Sequence, residues 1–135
     1  MNNSTVNLIQ RYYQAFNADD METFLSLLSD DVAHDINQGK REIGKDAFKQ
    51  FMTHMNHCYR ERIRDLVVLS NAEGQRAAAE FIVDGQYLNT DSDLPEAKGQ
   101  TYCLPAGAFF ALHKGQITRV SNYYNLQEWL QQINA

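Results

Sequence analysis

The sequence predicts an α+β domain in which a curved, mostly antiparallel sheet wraps around three N-terminal helices. Apolar residues recur at helical spacing in three segments between residues 6 and 55, whereas residues 63–124 contain long runs of the type that forms strands. The dipeptide Lys114-Gly115 separates two such runs and is a hairpin signal. Helices that precede an antiparallel sheet are typical of an α+β layer.

Three helices are predicted before the long strands. Ser4 is the expected N-cap of the first, Asp19 or Asp20 caps the second, and Gly44 precedes the third. The segment Ser29-Asp30-Asp31 is expected to end the second helix. The apolar faces of these helices should point inward, with Phe16, Phe24, Phe51 and Met55 inside.

The rest of the chain is predicted to be sheet, closed by a short helix. The expected strands cover residues 32–37, 63–69, 76–88, 100–113 and 116–124, with a loop over 89–99 and a helix over 125–133. A sheet that curls around helices leaves a cavity between the layers, and such concave sites usually take small apolar ligands.

Length and charge limit the possible functions. A chain of 135 residues is expected to form one domain, residues 1–135. Its net charge of −5 argues against nucleic acid as a partner, because phosphate binding needs a basic surface. Arg60, Arg62 and Arg64 alternate and are expected to lie on a solvated sheet face.

The two cysteines and the apolar segments bear on location. Cys58 and Cys103 are too few for a disulfide framework and are interpreted as packing residues. Residues 1–8 lack the apolar stretch of a signal peptide, and residues 106–112 are too short a run to span a membrane. A cytoplasmic protein with no membrane partner is therefore expected.

Three stretches carry a resemblance to a known family. They are residues 11–20, RYYQAFNADD, residues 28–35, LSDDVAHD, and residues 115–124, GQITRVSNYY. In this order and spacing the sequence resembles the ketosteroid-isomerase-related, SnoaL-like and polyketide-cyclase-like branch of the nuclear-transport-factor-two-like superfamily. The resemblance implies a cone-shaped, cystatin-like roll with an internal apolar pocket, and a homodimer that pairs through the outer sheet face.

The resemblance also assigns catalytic positions. Ketosteroid isomerases use a carboxylate base, a tyrosine hydroxyl and a protonated aspartic acid around an apolar pocket. The tyrosine corresponds to Tyr12, but the base corresponds to Ile36 and the aspartic acid to Gly107. Isoleucine and glycine lack these chemistries, so a true steroid isomerase is not expected.

A different base could come from the segment around Ile36. Strand alternation places His34 on the same face as Ile36, which the resemblance directs into the pocket, and Asp35 on the opposite face. A histidine in an apolar pocket can act as a base near neutral pH, although a purely structural histidine fits the pattern too. A bulge would exchange the faces and bring Asp35 inward.

The remaining candidates are ligand contacts. Tyr12 is either a hydrogen-bond donor to the ligand or a core tyrosine. Asn122 is either a polar anchor for a ligand oxygen or a satisfied sheet residue. The expected ligand-binding residues are Phe16, Ile36, Phe51, Met55, Phe109, Val120, Asn122 and Tyr124.

No metal and no cofactor are expected. His54, His57 and Cys58 lie close together in sequence, but they do not form a regular zinc motif. Glycine-rich phosphate loops and nucleophile motifs are absent from the sequence.

Three functions remain compatible with the sequence. The first is a protein that binds a small hydrophobic carbonyl compound, as a proton-transfer isomerase or a polyketide-cyclase-like enzyme. The second is a non-catalytic ligand-binding or association module, and the third is an epoxide-hydrolase-like enzyme, which needs a buried Asp-Arg-Asp set. A titratable group inside the cavity would favour catalysis over binding alone.

Overall fold

The computed structural model describes residues 1–134, and the last residue of the predicted domain, Ala135, lies outside the described part. The helices are α1 (Asn3–Asn17), α2 (Met21–Ser26), α3 (Lys45–Cys58) and α4 (Leu126–Ile133). The strands are β1 (Leu28–Asp35), β2 (Arg41–Ile43), β3 (Tyr59–Ser70), β4 (Arg76–Tyr87), β5 (Thr101–His113) and β6 (Gln116–Tyr124).

The strands form one curved sheet in the order β2-β1-β6-β5-β4-β3. All neighbours are antiparallel except β1 and β6, which run parallel. Helices α1, α2 and α3 pack on the inner face of this sheet. The predicted α+β class, with a mostly antiparallel sheet around three N-terminal helices, is confirmed.

The predicted start of α1 is wrong by two residues. Asn2, rather than Ser4, caps the helix, because its Oδ1 accepts a hydrogen bond from the backbone N–H of Thr5 at 3.1 Å. The backbone N–H of Asn2 in turn donates to Ser70 Oγ at 2.7 Å, so a tertiary contact fixes the helix start. The cap of α2 is Asp20, one of the two predicted candidates, and it accepts from Thr23 N–H.

The segment Ser29-Asp30-Asp31 does not end α2, as predicted, but lies within β1. The helix already ends at Ser26, and the backbone of Leu28 pairs with Ile117 of β6. This pairing joins residues that are far apart in the chain, so it could not be predicted from the local residues that end helices. Strand β2 was not predicted either, because three residues are too few to show an alternating pattern.

Strand β3 begins at Tyr59, four residues before the predicted start. Asp65 adopts a left-handed backbone conformation with φ of 55°, and the pairing register with β4 shifts between Arg64 and Val67. The predicted strand, residues 63–69, spans this bulge, whereas three of the four residues that precede the predicted strand are charged and lack the apolar, β-branched character on which the prediction depends. The early part of β3 matters because it contributes to the cavity.

The hairpin between β5 and β6 is confirmed. Lys114 and Gly115 both have positive φ, 50° and 76°, as the two central residues of a type I′ turn require. The turn pairs His113 with Gln116, and a register shift between Leu112 and Ala111 then brings Phe110 of β5 opposite Val120 of β6.

The core consists of two aromatic clusters. One lies under α1, α2 and α3 and includes the fully buried Phe24, Phe48 and Phe110. The other lies under α4 and includes Tyr102 and Trp129, whose rings are 5.9 Å apart. Of the predicted inner residues, Phe24 is buried, whereas Phe16, Phe51 and Met55 are partly buried and line the space between the clusters.

Candidate functional site

A cavity of about 160 Å³ lies between the helices and the inner face of the sheet. Its wall is largely aromatic and aliphatic, with contributions from Phe16, Phe51, Met52, Met55, Phe81 and Val83. Dry apolar cavities of roughly 150 Å³ hold a benzene-sized ligand. The cavity therefore suits a compound with about one ring, whereas a steroid needs more room than it offers.

His34 is the first titratable side chain in the wall. It lies on the inner face of β1 and is only 2% exposed. Its ring stacks on Phe48 with centroids 4.1 Å apart and meets the edge of Phe51 at 4.7 Å. Burial lowers the pKa of His34 to about 4, although the charge of Asp35 opposes this shift. The imidazole is therefore neutral at pH 7.

The two ring nitrogens of His34 have different surroundings. Nε2 lies 3.4 Å from the amide nitrogen of Asn122, whereas Nδ1 is buried and has no hydrogen-bond partner among the described residues. If the Asn122 amide donates, Nε2 carries the lone pair and Nδ1 the proton. An unpartnered buried nitrogen costs roughly 1–3 kcal/mol, and such orphaned groups call for an explanation.

Asp35 points away from the cavity, so the hypothesis that it supplies an inward-facing base is wrong. Arg41 Nε and Nη2 donate to its carboxylate at 2.6 and 3.0 Å, and Ser121 Oγ donates at 2.5 Å. The hydrogen bond from Arg41 contributes most to lowering the pKa of Asp35 to about 2. The register shift in β1 lies between Leu28 and Ala33, before His34, and leaves its alternation with Asp35 intact.

Tyr12 lines the cavity from α1. Its ring stacks on Phe24 at 4.4 Å and meets Phe110 edge-on at 5.6 Å. Burial raises the pKa of Tyr12 far above its ordinary value, so the hydroxyl stays protonated and can donate.

Most of the other predicted ligand contacts line the cavity, and two do not. Those in the wall are Phe16, Ile36, Phe51, Met55, Asn122 and Tyr124. Phe109 is 52% exposed, because Ala108 and Phe110 occupy the inner face of β5 and alternation turns Phe109 outward. Val120 does face inward, but it is fully buried within the aromatic core rather than in the cavity wall. Gly107, which corresponds to the acid of ketosteroid isomerases, also lies in the wall.

Glu61 is a second titratable side chain of the cavity, and it is not among the residues predicted from the sequence. It is partly buried on β3, and Tyr102 Oη donates a hydrogen bond to its Oε2. Burial raises the pKa of the Glu61 carboxyl, and the hydrogen bond from Tyr102 opposes this shift. One signal could have found it: if Arg60 and Arg62 face solvent, the acidic residue between them faces inward.

Strand β4 has its odd-numbered residues inside. Phe81 and Val83 line the cavity, and Tyr87 is fully buried. Glu80 and Asp84 lie on the opposite face. Neither arginine nor aspartate occurs among the described residues of the cavity wall, so the Asp-Arg-Asp set of an epoxide hydrolase is not assembled there.

A separate cluster could hold a metal. Donor atoms of His54, Cys58 and Asp91 lie within 4.8 Å of one another. The carboxylate of Asp91 is already engaged, by His54 Nε2 at 2.7 Å and by the hydroxyl of Tyr59 at 2.8 Å. Burial raises the pKa of Cys58, with a smaller contribution from Asp91, which disfavours the thiolate that a metal would bind.

The architecture defines the class of protein. An NTF2-like protein from Burkholderia pseudomallei aligns with a TM-score of 0.83 over 99% of this chain and 100% of its own, at 15% identity. A model of the SnoaL-like domain matches residues 9–120, so the chain belongs to the SnoaL-like family.

Two solved structures are similar in sequence as well as in fold. A protein from Pseudomonas putida KT2440 is 61% identical, with a TM-score of 0.95, over 96% of this chain and 97% of its own. One from Xanthomonas campestris pv. campestris is 56% identical, with a TM-score of 0.95, over 96% of both chains. Both are described as a "putative polyketide cyclase". No curated protein matches the chain.

Proposed function

We propose that this protein binds a small hydrophobic carbonyl compound in the cavity and catalyses proton transfer on it, as an isomerase or a polyketide-cyclase-like enzyme. The observation that carries the proposal is the neutral imidazole of His34 in the wall of an apolar cavity. Such a group can accept a proton at pH 7 without first losing one. The description of the two similar proteins as cyclases supports the same chemistry.

The proposed step is enolisation. The C–H bond next to the ligand carbonyl breaks, and its proton passes to Nε2 of His34. The electron pair moves through the carbon–carbon bond onto the carbonyl oxygen, where the Tyr12 hydroxyl donates a hydrogen bond to the developing enolate. The Asn122 amide, which lies beside Nε2, turns from the imidazole to the enolate oxygen in this step and is the second donor. The imidazolium then returns a proton to carbon, which leaves the protein unchanged.

One observation favours the alternative, a non-catalytic binding or association module. His34 is 2% exposed and is covered by Phe48 and Phe51, so a ligand reaches little of its ring in this structure. Catalysis then requires the side chain of Phe51, which is partly buried, to move aside so that the ligand contacts His34. The two functions predict different rates of proton exchange and are distinguished in that way.

The test is deuterium exchange of a simple ketone. Acetophenone has one ring and exchangeable methyl protons, and proton NMR in D₂O follows their loss. The wild-type protein should accelerate this exchange, and His34→Ala should lower the rate at saturating ketone by about 10²-fold or more. His113→Ala removes an exposed histidine and is the matched control. Binding without accelerated exchange would establish the binding module instead.

Assembly and location complete the proposal. Phe109 and Tyr123 are 52% and 55% exposed on the outer sheet face, with their rings 5.7 Å apart. Exposed aromatic pairs of this kind suit an interface with a second copy, so the working state is proposed to be a cytoplasmic homodimer. No helix within residues 1–134 is long and apolar enough to cross a membrane.

A further inference from the structure

The position of Glu61 is built by three strands in register. Glu61 of β3 pairs with Gly85 of β4, and Gly85 pairs with Tyr102 of β5. The Tyr102 ring lies across Gly85, where an added Cβ would come within 2.1 Å of Cζ. The absence of a side chain at Gly85 is therefore what lets Tyr102 reach and hold the carboxyl group.

Only one of the two carboxyl oxygens of Glu61 takes part in this contact. Tyr102 donates to Oε2, and no residue in the described part of the chain hydrogen-bonds to Oε1. Glu61 lies in the cavity wall, so the free oxygen is available to a ligand. The side-chain nitrogen of Asn37, also in the wall, is buried without a described partner.

A polar band connects Glu61 with His34 across the floor of the cavity. Asn122 contacts His34, and Tyr124 lies two residues further along the same face of β6. Tyr124 and Glu61 both line the cavity. Burial raises the pKa of Tyr124, and the charge of Glu61 raises it further. Residues two apart on a strand are separated by about 7 Å. The band therefore has two ends, one at His34 and one at Glu61.

We infer that Glu61 is a specificity-determining residue, whose free Oε1 accepts a hydrogen bond from a hydroxyl group at the far end of the ligand. The ligand class is then a one-ring carbonyl compound with a hydroxyl opposite the carbonyl group, because the carbonyl lies at the His34 end. This inference rests on the proposed function and adds the second half of the recognition. A hydrogen bond to a carboxylate is among the stronger ones, so the hydroxyl should matter for affinity.

The test compares three probes that share one ring: acetophenone, 4-hydroxyacetophenone and 4-methoxyacetophenone. Calorimetry gives the dissociation constants for the wild type, Glu61→Leu and Glu61→Gln. The wild type should bind the hydroxy compound about tenfold more tightly than acetophenone and show no such preference for the methoxy compound. Glu61→Leu should reduce the preference to about one, and Glu61→Gln, which keeps the shape and an acceptor oxygen, should reduce it several-fold.

Glu80→Leu is the matched control, because Glu80 is exposed on the outer face of β4. It should keep the tenfold preference. Equal binding of all three probes to the wild type, or a preference that survives in Glu61→Gln and Glu61→Leu, would overturn the role of Glu61 and leave the proposed function standing. If the wild type binds none of the probes, the proposed function itself fails. Should Glu61→Leu not fold, Glu61→Gln and the methoxy probe decide the question.

Discussion

The hydroxyl of Tyr102 reaches the carboxyl of Glu61 although a whole strand lies between them. Cross-strand side chains normally interact with direct neighbours, and a contact two strands away requires the central position to be empty. This arrangement places a carboxyl group in a largely apolar cavity and gives it a fixed partner. It also makes one glycine decisive for the geometry of the site.

The first prediction concerns that glycine. Gly85→Ala should lower the free energy of unfolding by about 3 kcal/mol, because the new Cβ would lie 2.1 Å from the Tyr102 ring. Urea denaturation measures the loss. Gly107→Ala is the control in a neighbouring strand, where the Cβ would lie 3.1 Å from the Ala79 carbonyl oxygen, and its cost should be smaller.

A second variant isolates the cause. If the clash with the ring is responsible, Gly85→Ala in a Tyr102→Leu background should cost about 1 kcal/mol or less. An undiminished cost in that background would contradict the explanation and point to the backbone of β4 instead.

The second prediction distinguishes two adjacent tyrosines. Tyr12→Phe should slow the exchange of acetophenone protons by about 10- to 100-fold, because the enolate loses its donor. Tyr13 also lines the cavity, but its hydroxyl is buried without a partner and has no role in the proposed step, so Tyr13→Phe should leave exchange unchanged. Tyr13→Phe should also raise the free energy of unfolding by about 1 kcal/mol through removal of an unsatisfied group. Equal exchange rates in the two variants would remove Tyr12 from the mechanism.

The order of elements could be predicted because most of its signals are local. The type I′ turn at Lys114-Gly115 and the cap at Asp20 each depend on a few neighbouring residues. The start of β1 could not, because the strand begins where Leu28 meets Ile117, far away in the chain. The cap at Asn2 could not be predicted for the same reason. The backbone N–H of Asn2 donates to Ser70 Oγ, which is also far away in the chain.

The sequence allowed the titratable residues on only one side of the cavity to be predicted. His34 and Tyr12 were found through their faces and through the family resemblance, whereas Glu61 depends on the pairing of β3, β4 and β5. Alternation next to Arg60 and Arg62 indicates that Glu61 faces inward, but nothing local shows that Tyr102 holds it. The outward position of Phe109 could be predicted by the same alternation argument, because Cys103 and Pro105 are exposed at odd positions of β5 as well.

The third prediction concerns assembly. Phe109→Asp should raise the dissociation constant of the proposed homodimer at least tenfold. The aromatic pair of Phe109 and Tyr123, which the dimer interface is proposed to cover, would then contain a charge. Sedimentation at micromolar concentration should show a dimer for the wild type and a shift toward monomer for the variant. Ile43→Asp is the control, since Ile43 is 61% exposed on the edge strand β2. A monomeric wild type would refute the dimer.

The last prediction follows from the buried imidazole. The unfolded chain takes up a proton on His34 near pH 6.5, whereas the lowered pKa in the folded state delays this to about 4. Between these values the unfolded state binds more protons, so stability is complete above pH 6.5 and falls as the pH drops toward 4. At about 1.4 kcal/mol per pKa unit, the loss should be roughly 3 kcal/mol.

The measurement is urea denaturation from pH 7.5 to pH 4 for the wild type, His34→Gln and His113→Gln. Asp35, with its lowered pKa, and Glu61, with its raised pKa, contribute to the pH dependence of all three proteins, so the difference between wild type and His34→Gln isolates the imidazole. The stability difference between the wild type and His34→Gln should change by about 3 kcal/mol between pH 7.5 and pH 4, with the wild type losing more, while His113→Gln follows the wild type because His113 is exposed. Parallel curves for wild type and His34→Gln would mean that the imidazole is protonated as easily in the fold as in water. The lowered pKa of His34 would then be refuted, but the exchange rates would still decide the proposed proton transfer, because an imidazole with the ordinary pKa of about 6.5 is also mostly neutral at pH 7.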